Sequence, residues 1–315
     1  MRRYRSSLPQ LTPQPFLTDG GIETTLIYHE GLELPEFAAF TLLETGEGRE
    51  ALRRYFLRYV EIARRHKVGI VLESATWRAS IEWGRKLGYG AARLVEANRA
   101  AIALLEEIRA EWATPETPII ISGNVGPRGD GYVPSAVMTA EAAERYHRPQ
   151  IATFASTVAD LVSAVTLNYT AEAIGIVRAA RAVGMPVAIA FTVETDGRLP
   201  TGQSLSEAIE ETDAATERYA RYYMVNCAHP THFAHVLCDG NPVWQRVRGL
   251  RANASRLSHA ELNAATALDA GDPAEFGDAY AALRGELPWL TILGGCCGTD
   301  HRHIESVAER LHALR

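Results

Sequence analysis

The chain is expected to fold as a (β/α)8 barrel, and three observations lead there. Short β-rich apolar runs alternate with longer amphipathic stretches along nearly the whole length, eight such runs can be placed, and 315 residues suit a closed barrel better than an open doubly wound sheet. With 47% hydrophobic residues the chain can bury a large core, and no linker or low-complexity segment divides it. A single domain over residues 1–315 is therefore expected, with its barrel core starting at about residue 14.

The strands are expected at 16–18, 69–72, 118–122, 161–165, 187–192, 224–226, 247–252 and 290–293, each a short apolar run closed by a polar or glycine-rich cluster. Amphipathic stretches at 49–65, 91–112, 139–159, 172–183 and 204–221 are long enough to cross back over a parallel strand. The clusters that follow the strands are Asp19-Gly20-Gly21, Glu73-Ser74-Ala75-Thr76-Trp77, Gly123-Asn124-Val125-Gly126-Pro127, Asn226-Cys227 and Gly294-Gly295-Cys296-Cys297-Gly298. In a barrel these share the carboxyl rim, where sites are built, so residues distant in sequence converge there.

A net charge of −6 with mixed signs leaves no basic surface for nucleic acid, and small solutes are the expected partners. No apolar run reaches the roughly 20 residues needed to span a bilayer, and Met1-Arg2-Arg3-Tyr4-Arg5 is not followed by a signal-type apolar stretch, so a cytoplasmic protein that does not engage membranes is expected. Four cysteines in so long a chain cannot form a disulfide scaffold, which leaves them as thiols for metal or chemistry.

Cys296 and Cys297 are adjacent and flanked by glycines whose backbone freedom lets neighbouring sulfurs face one point, and Cys227 ends the sixth strand. Three thiolates at about 2.3 Å from zinc leave one tetrahedral position open, the arrangement of a catalytic site. Chemistry alone also admits a vicinal redox pair, or three small buried hydrophobes, although a Gly-Gly-Cys-Cys-Gly loop has little use for two thiols as packing.

In their order and spacing, Asp19-Gly20-Gly21, Gly123-Asn124-Val125-Gly126-Pro127, Val225-Asn226-Cys227 and Gly294-Gly295-Cys296-Cys297-Gly298-Thr299 resemble the motifs of the homocysteine S-methyltransferase family. The resemblance runs from near residue 16 to the carboxyl end, and its last motif is the most specific. It implies a zinc-bearing barrel that methylates homocysteine to methionine, with the metal on Cys227, Cys296 and Cys297. It also implies a sulfonium or quaternary ammonium methyl donor such as S-methylmethionine, S-adenosylmethionine or betaine. A zinc-held thiol is deprotonated and nucleophilic, and a sulfonium donor leaves as a neutral thioether, so no separate acid or base is expected.

For substrate binding, the amides of Gly20 and Gly21 can meet a carboxylate while Asp19 meets an ammonium group, against the alternative of a simple Asp-capped turn. Glu73, Asn124 and Asn226 join this set on the same rim, and Glu23 lies close to it. The fourth strand departs from the family: where many members carry Glu-Thr-hydrophobic-Pro, with the Glu holding the amino group, this chain has Val165-Thr166-Leu167-Asn168. Valine cannot pair with ammonium, so Glu73, Asn168 or Asn124 must compensate or the thiol is a different one.

His229, His232 and His235 recur every three residues behind Pro230, a helix start, and are expected to be packing or surface residues rather than ligands. His301 and His303 have the wrong spacing for one helix face, and Cys238 is read as packing. Trp77, Trp83 and Tyr89 either line a cationic donor pocket or fill the core. Two other functions compete: a metal-dependent hydrolase using those histidines, which the thiolate-rich set disfavours, and a zinc- or thiol-binding protein without turnover.

Overall fold

A computed structural model describes residues 3–134 and 137–313 of the protein. Eight parallel strands close into a barrel in sequence order: β1 (Phe16–Leu17), β2 (Gly69–Glu73), β3 (Ile119–Val125), β4 (Leu161–Leu167), β5 (Val187–Thr192), β6 (Tyr222–Asn226), β7 (Val247–Ala252) and β8 (Ile292–Gly295). Closure is direct, with Phe16 opposite both Gly69 on β2 and Ile292 on β8. Every expected strand is present.

Among the described residues ten α-helices connect or follow the strands: α1 (Gly46–Arg65), α2 (Ile81–Lys86), α3 (Ala91–Trp112), α4 (Ala140–Ala155), α5 (Thr170–Ala182), α6 (Leu205–Thr216), α7 (Pro230–Leu237), α8 (His259–Ala264), α9 (Pro273–Glu286) and α10 (His301–Ala313). None is long and apolar enough to cross a membrane. Pro230 opens α7 from an His229 cap, as its sequence position indicates.

Burial follows the two-residue period of each strand. Ile70 and Leu72 of β2, and Tyr223 and Val225 of β6, face the helices in the larger core, whereas Val71, Tyr222 and Met224 face the lumen. Carried to the strand ends, the inward parity reaches Glu73, Asn124, Asn226 and Arg251, which places polar side chains at the carboxyl mouth above an apolar plug that includes Val165.

The amino-terminal segment belongs to the barrel more intimately than a core starting near residue 14 implies. Leu8 packs into the lumenal cluster, and the Gln10 carbonyl accepts a 2.8 Å hydrogen bond from Thr291. Asp160, just before β4, accepts from the amide of Tyr4 at 2.9 Å and from Arg109 of α3 at 2.7 Å.

Candidate functional site

The sulfurs of Cys227, Cys296 and Cys297 lie within 4.8 Å of one another, with 3.9 Å between Cys227 and Cys297. Zinc–sulfur bonds of about 2.3 Å at tetrahedral angles require sulfurs about 3.8 Å apart, close to the separation of Cys227 and Cys297. Cys227 is buried and Cys297 exposed, which leaves the cluster open towards the barrel mouth.

Close backbone approach explains the glycines beside the pair. A methyl group on Gly294 would stand 1.8 Å from the Thr18 hydroxyl, and one on Gly295 2.1 Å from that of Thr299. Gly298, at φ +79°, turns the chain into α10.

Cys227 itself is held at φ +54°, and Thr166, at a bulge in β4, at φ +63°, a strained value for a β-branched residue. One side chain fixes this corner. The Asn226 oxygen accepts from the Thr166 amide at 2.9 Å, and its Nδ2 donates to the Thr166 hydroxyl at 2.9 Å. Nδ2 also lies 4.0 Å from the Cys296 sulfur, so Asn226 shapes the thiol cluster.

Two residues that sequence reasoning passed over complete the cluster. Tyr132, from the β3–α4 loop, brings its hydroxyl to 3.5 Å from the Cys227 sulfur and 3.4 Å from that of Cys297. His259 packs on the Tyr132 ring and donates from Nε2 to the Cys227 carbonyl at 2.6 Å. Hydrogen bonds from Cys227, Cys296 and Tyr132 hold the Cys297 thiol well below its ordinary value, while Cys296 is pushed up by its bonds to Cys227 and Cys297 and by burial. A divalent ion held by the three sulfurs would let all three thiols ionise together.

Beside the sulfurs, a narrow cleft is lined by Asp19, Glu23, Glu73, Asn124, Trp77 and Arg251 among others. Arg251, buried on β7, is the residue most conspicuously missed from sequence. It reaches Asp19 at 2.7 Å and Glu73 at 2.6 Å. The other Asp19 oxygen accepts from Tyr55 at 2.8 Å. Burial pushes the Glu73 carboxyl up against the pull of Arg251.

The Gly21 amide donates to Thr299 rather than standing open, which turns the expectation of two free amides at this turn into one about Gly20. The side-chain oxygen of Asn124 is buried without a partner, whereas Asn168 donates to the Asp130 carbonyl and so braces the loop that carries Tyr132.

The remaining sequence candidates fall elsewhere. His232 bonds to the Arg256 carbonyl, His235 is exposed, and His303 is buried against Asp300 and the Ala270 carbonyl. Cys238 is exposed, not packed, because it lies just past the end of α7 on the outer surface. Trp77 and Trp83 hold the Arg78 guanidinium between them, at 3.8 and 3.6 Å from the ring centres, and Tyr89 packs edge-on against Phe40. Their faces are taken by the protein's own cation and core.

The homocysteine S-methyltransferase family model matches residues 16–311. The chain belongs to this family of methyltransferases. Among solved structures, the homocysteine methyltransferase MmuM from Escherichia coli in its oxidized form matches with a TM-score of 0.78 at 18% identity, covering 98% of this chain and 100% of that one. Its metallated form matches at 0.76 and 17% identity, over 97% and 99% of the two chains. No curated protein sequence matches this chain. The family assignment and the shared barrel agree with the motifs that the chain carries in sequence.

Proposed function

We propose that this protein is a zinc-dependent S-methyltransferase that moves a methyl group from a sulfonium or quaternary ammonium donor to homocysteine or a related small thiol. The single observation that carries the reading is the spacing of the Cys227, Cys296 and Cys297 sulfurs on one open rim. The three-sulfur set supports zinc over metals that prefer oxygen ligands, and argues against a hydrolase built on histidine and carboxylate.

Zinc held there supplies the Lewis acidity that ionises an incoming thiol at neutral pH. The chain does the rest by position. Asn226 and Thr166 fix the strained corner at Cys227, and His259 and Tyr132 also bond to Cys227. The exposed Cys297 marks the side from which the acceptor enters. The acceptor sulfur forms a bond to the methyl carbon as the donor's carbon–sulfur or carbon–nitrogen bond breaks; the donor's sulfur or nitrogen keeps that electron pair and loses its positive charge, and the thiol proton passes to solvent. No side chain has to give up a proton, so alignment and exclusion of water are what the barrel contributes.

Metal analysis together with a donor panel tests this. The purified protein should carry about one zinc per chain, and incubation with homocysteine and S-methylmethionine, S-adenosylmethionine or betaine should yield a methylated thiol detectable by mass. Replacing both Cys296 and Cys297 by Ala should abolish both signals. Full zinc retention in that variant refutes the assignment.

A further inference from the structure

We propose that Arg251 occupies the place where an acceptor's ammonium group would sit, so that the methyl acceptor is a small thiol without an α-ammonium group. This rests on the reading of the chain as a thiol methyltransferase and names the substrate class of that same site.

Arg251 enters the cleft from β7 and spans the mouth to Asp19 at 2.7 Å and Glu73 at 2.6 Å. Asp19 and Glu73 line the cleft beside the sulfurs with Glu23 at its edge, and Tyr55 takes the second Asp19 oxygen at 2.8 Å. An ammonium group has three donors and no acceptor. To bind there it must displace a guanidinium already engaged with both carboxylates, or lie against it at like-charge range with little water to screen the repulsion.

The fourth strand offers no substitute. Val165 packs in the lumen with Leu161, Tyr222 and Met224, closing that wall with hydrocarbon. The unmet polar atoms of the cleft have a different pattern. Asn124 Oδ1, an acceptor, and Trp77 Nε1, a donor, are both buried without a hydrogen-bond partner, as is Asp19 Oδ1, which Arg251 meets as an ion pair. A neutral group that both donates and accepts, such as a hydroxyl or carboxamide, meets the two together; an ammonium group cannot answer the tryptophan.

Isothermal titration of the zinc-loaded protein with homocysteine and with its deaminated analogue, 4-mercaptobutanoate, decides the matter. The native protein should bind the analogue about tenfold or more tightly than homocysteine, the scale of removing or opposing one charge-assisted hydrogen bond. Arg251→Met frees both carboxylates and should reverse the preference, while Arg251→Lys keeps a cation and should retain it. If Arg251→Met does not fold, the native ratio and the Lys variant still decide. Equal or tighter binding of homocysteine by the native protein, or an unchanged preference in Arg251→Met, overturns the proposal while leaving the methyltransferase reading standing. Failure of both thiols to bind removes that reading and the proposal with it.

Discussion

Glu23 lies half-buried at the edge of the cleft, within electrostatic reach of Cys297 and Asp19. Burial, reinforced by those two neighbours, pushes its carboxyl from 4.5 up to about 7 in the metal-free protein. Between these values the folded chain holds a proton that the unfolded chain gives up, so this residue's contribution to stability falls as pH rises through that window. Thermal unfolding of metal-free native protein and of Glu23→Gln, compared from pH 4.5 to 7, should show the native protein losing ground to the variant as pH increases. Parallel curves would contradict the burial argument. The cysteines and Asp19 were legible at this scale because their types and glycine neighbours already constrain the chemistry. Arg251 was not, because arginine within an apolar run reads as a surface interruption until barrel closure shows that alternate residues of β7 face the lumen.

Among the elements, β4 and β6, which flank β5, are joined at the rim by one side chain. Asn226 holds Thr166 in a left-handed conformation through its amide and its hydroxyl. Asn226→Ala should leave the buried Thr166 amide without a partner and cost about 1–3 kcal/mol in urea unfolding. The same variant should bind zinc more weakly in a chelator competition, since Cys227 follows directly in the chain; native affinity would mean that the Asn–Thr clamp serves the fold alone. Strand positions were legible because strands of a parallel barrel are buried on both faces and read as continuous apolar runs. Their ends were less so: β3 runs on through Asn124 to Val125, past a glycine that reads as a stop. Helix α4 ends at Ala155, short of the expected 159, because Ser156 and Thr157 turn their hydroxyls back onto the Thr153 and Phe154 carbonyls. Helix α6 ends at Thr216, where Glu217 and Arg218 take positive φ.

Over the whole molecule the barrel separates stability from chemistry along its axis. Asp160 at the amino face ties Arg109 of α3, the Ile121 amide of β3 and the amino-terminal segment to the foot of β4. Asp160→Ala strands a buried guanidinium and should cost about 3–5 kcal/mol of stability, yet leave zinc content at the native level, because the thiols stand at the opposite end of the strands. Loss of metal in a folded Asp160→Ala protein would contradict that separation. Closure is also what brings Asp19 after β1, Glu73 on β2 and Arg251 on β7 into one network, a convergence that sequence order conceals.

In the proposed reaction three barrel thiols hold a zinc ion whose remaining position receives the acceptor's sulfur. X-ray absorption at the zinc edge tests it directly, on the zinc-loaded protein before and after saturation with 4-mercaptobutanoate or homocysteine. The predicted spectrum changes from three sulfurs and one light atom to four sulfurs, at about 2.3 Å. A spectrum that begins with fewer than three sulfurs, or that neither thiol alters at saturation, would contradict the account.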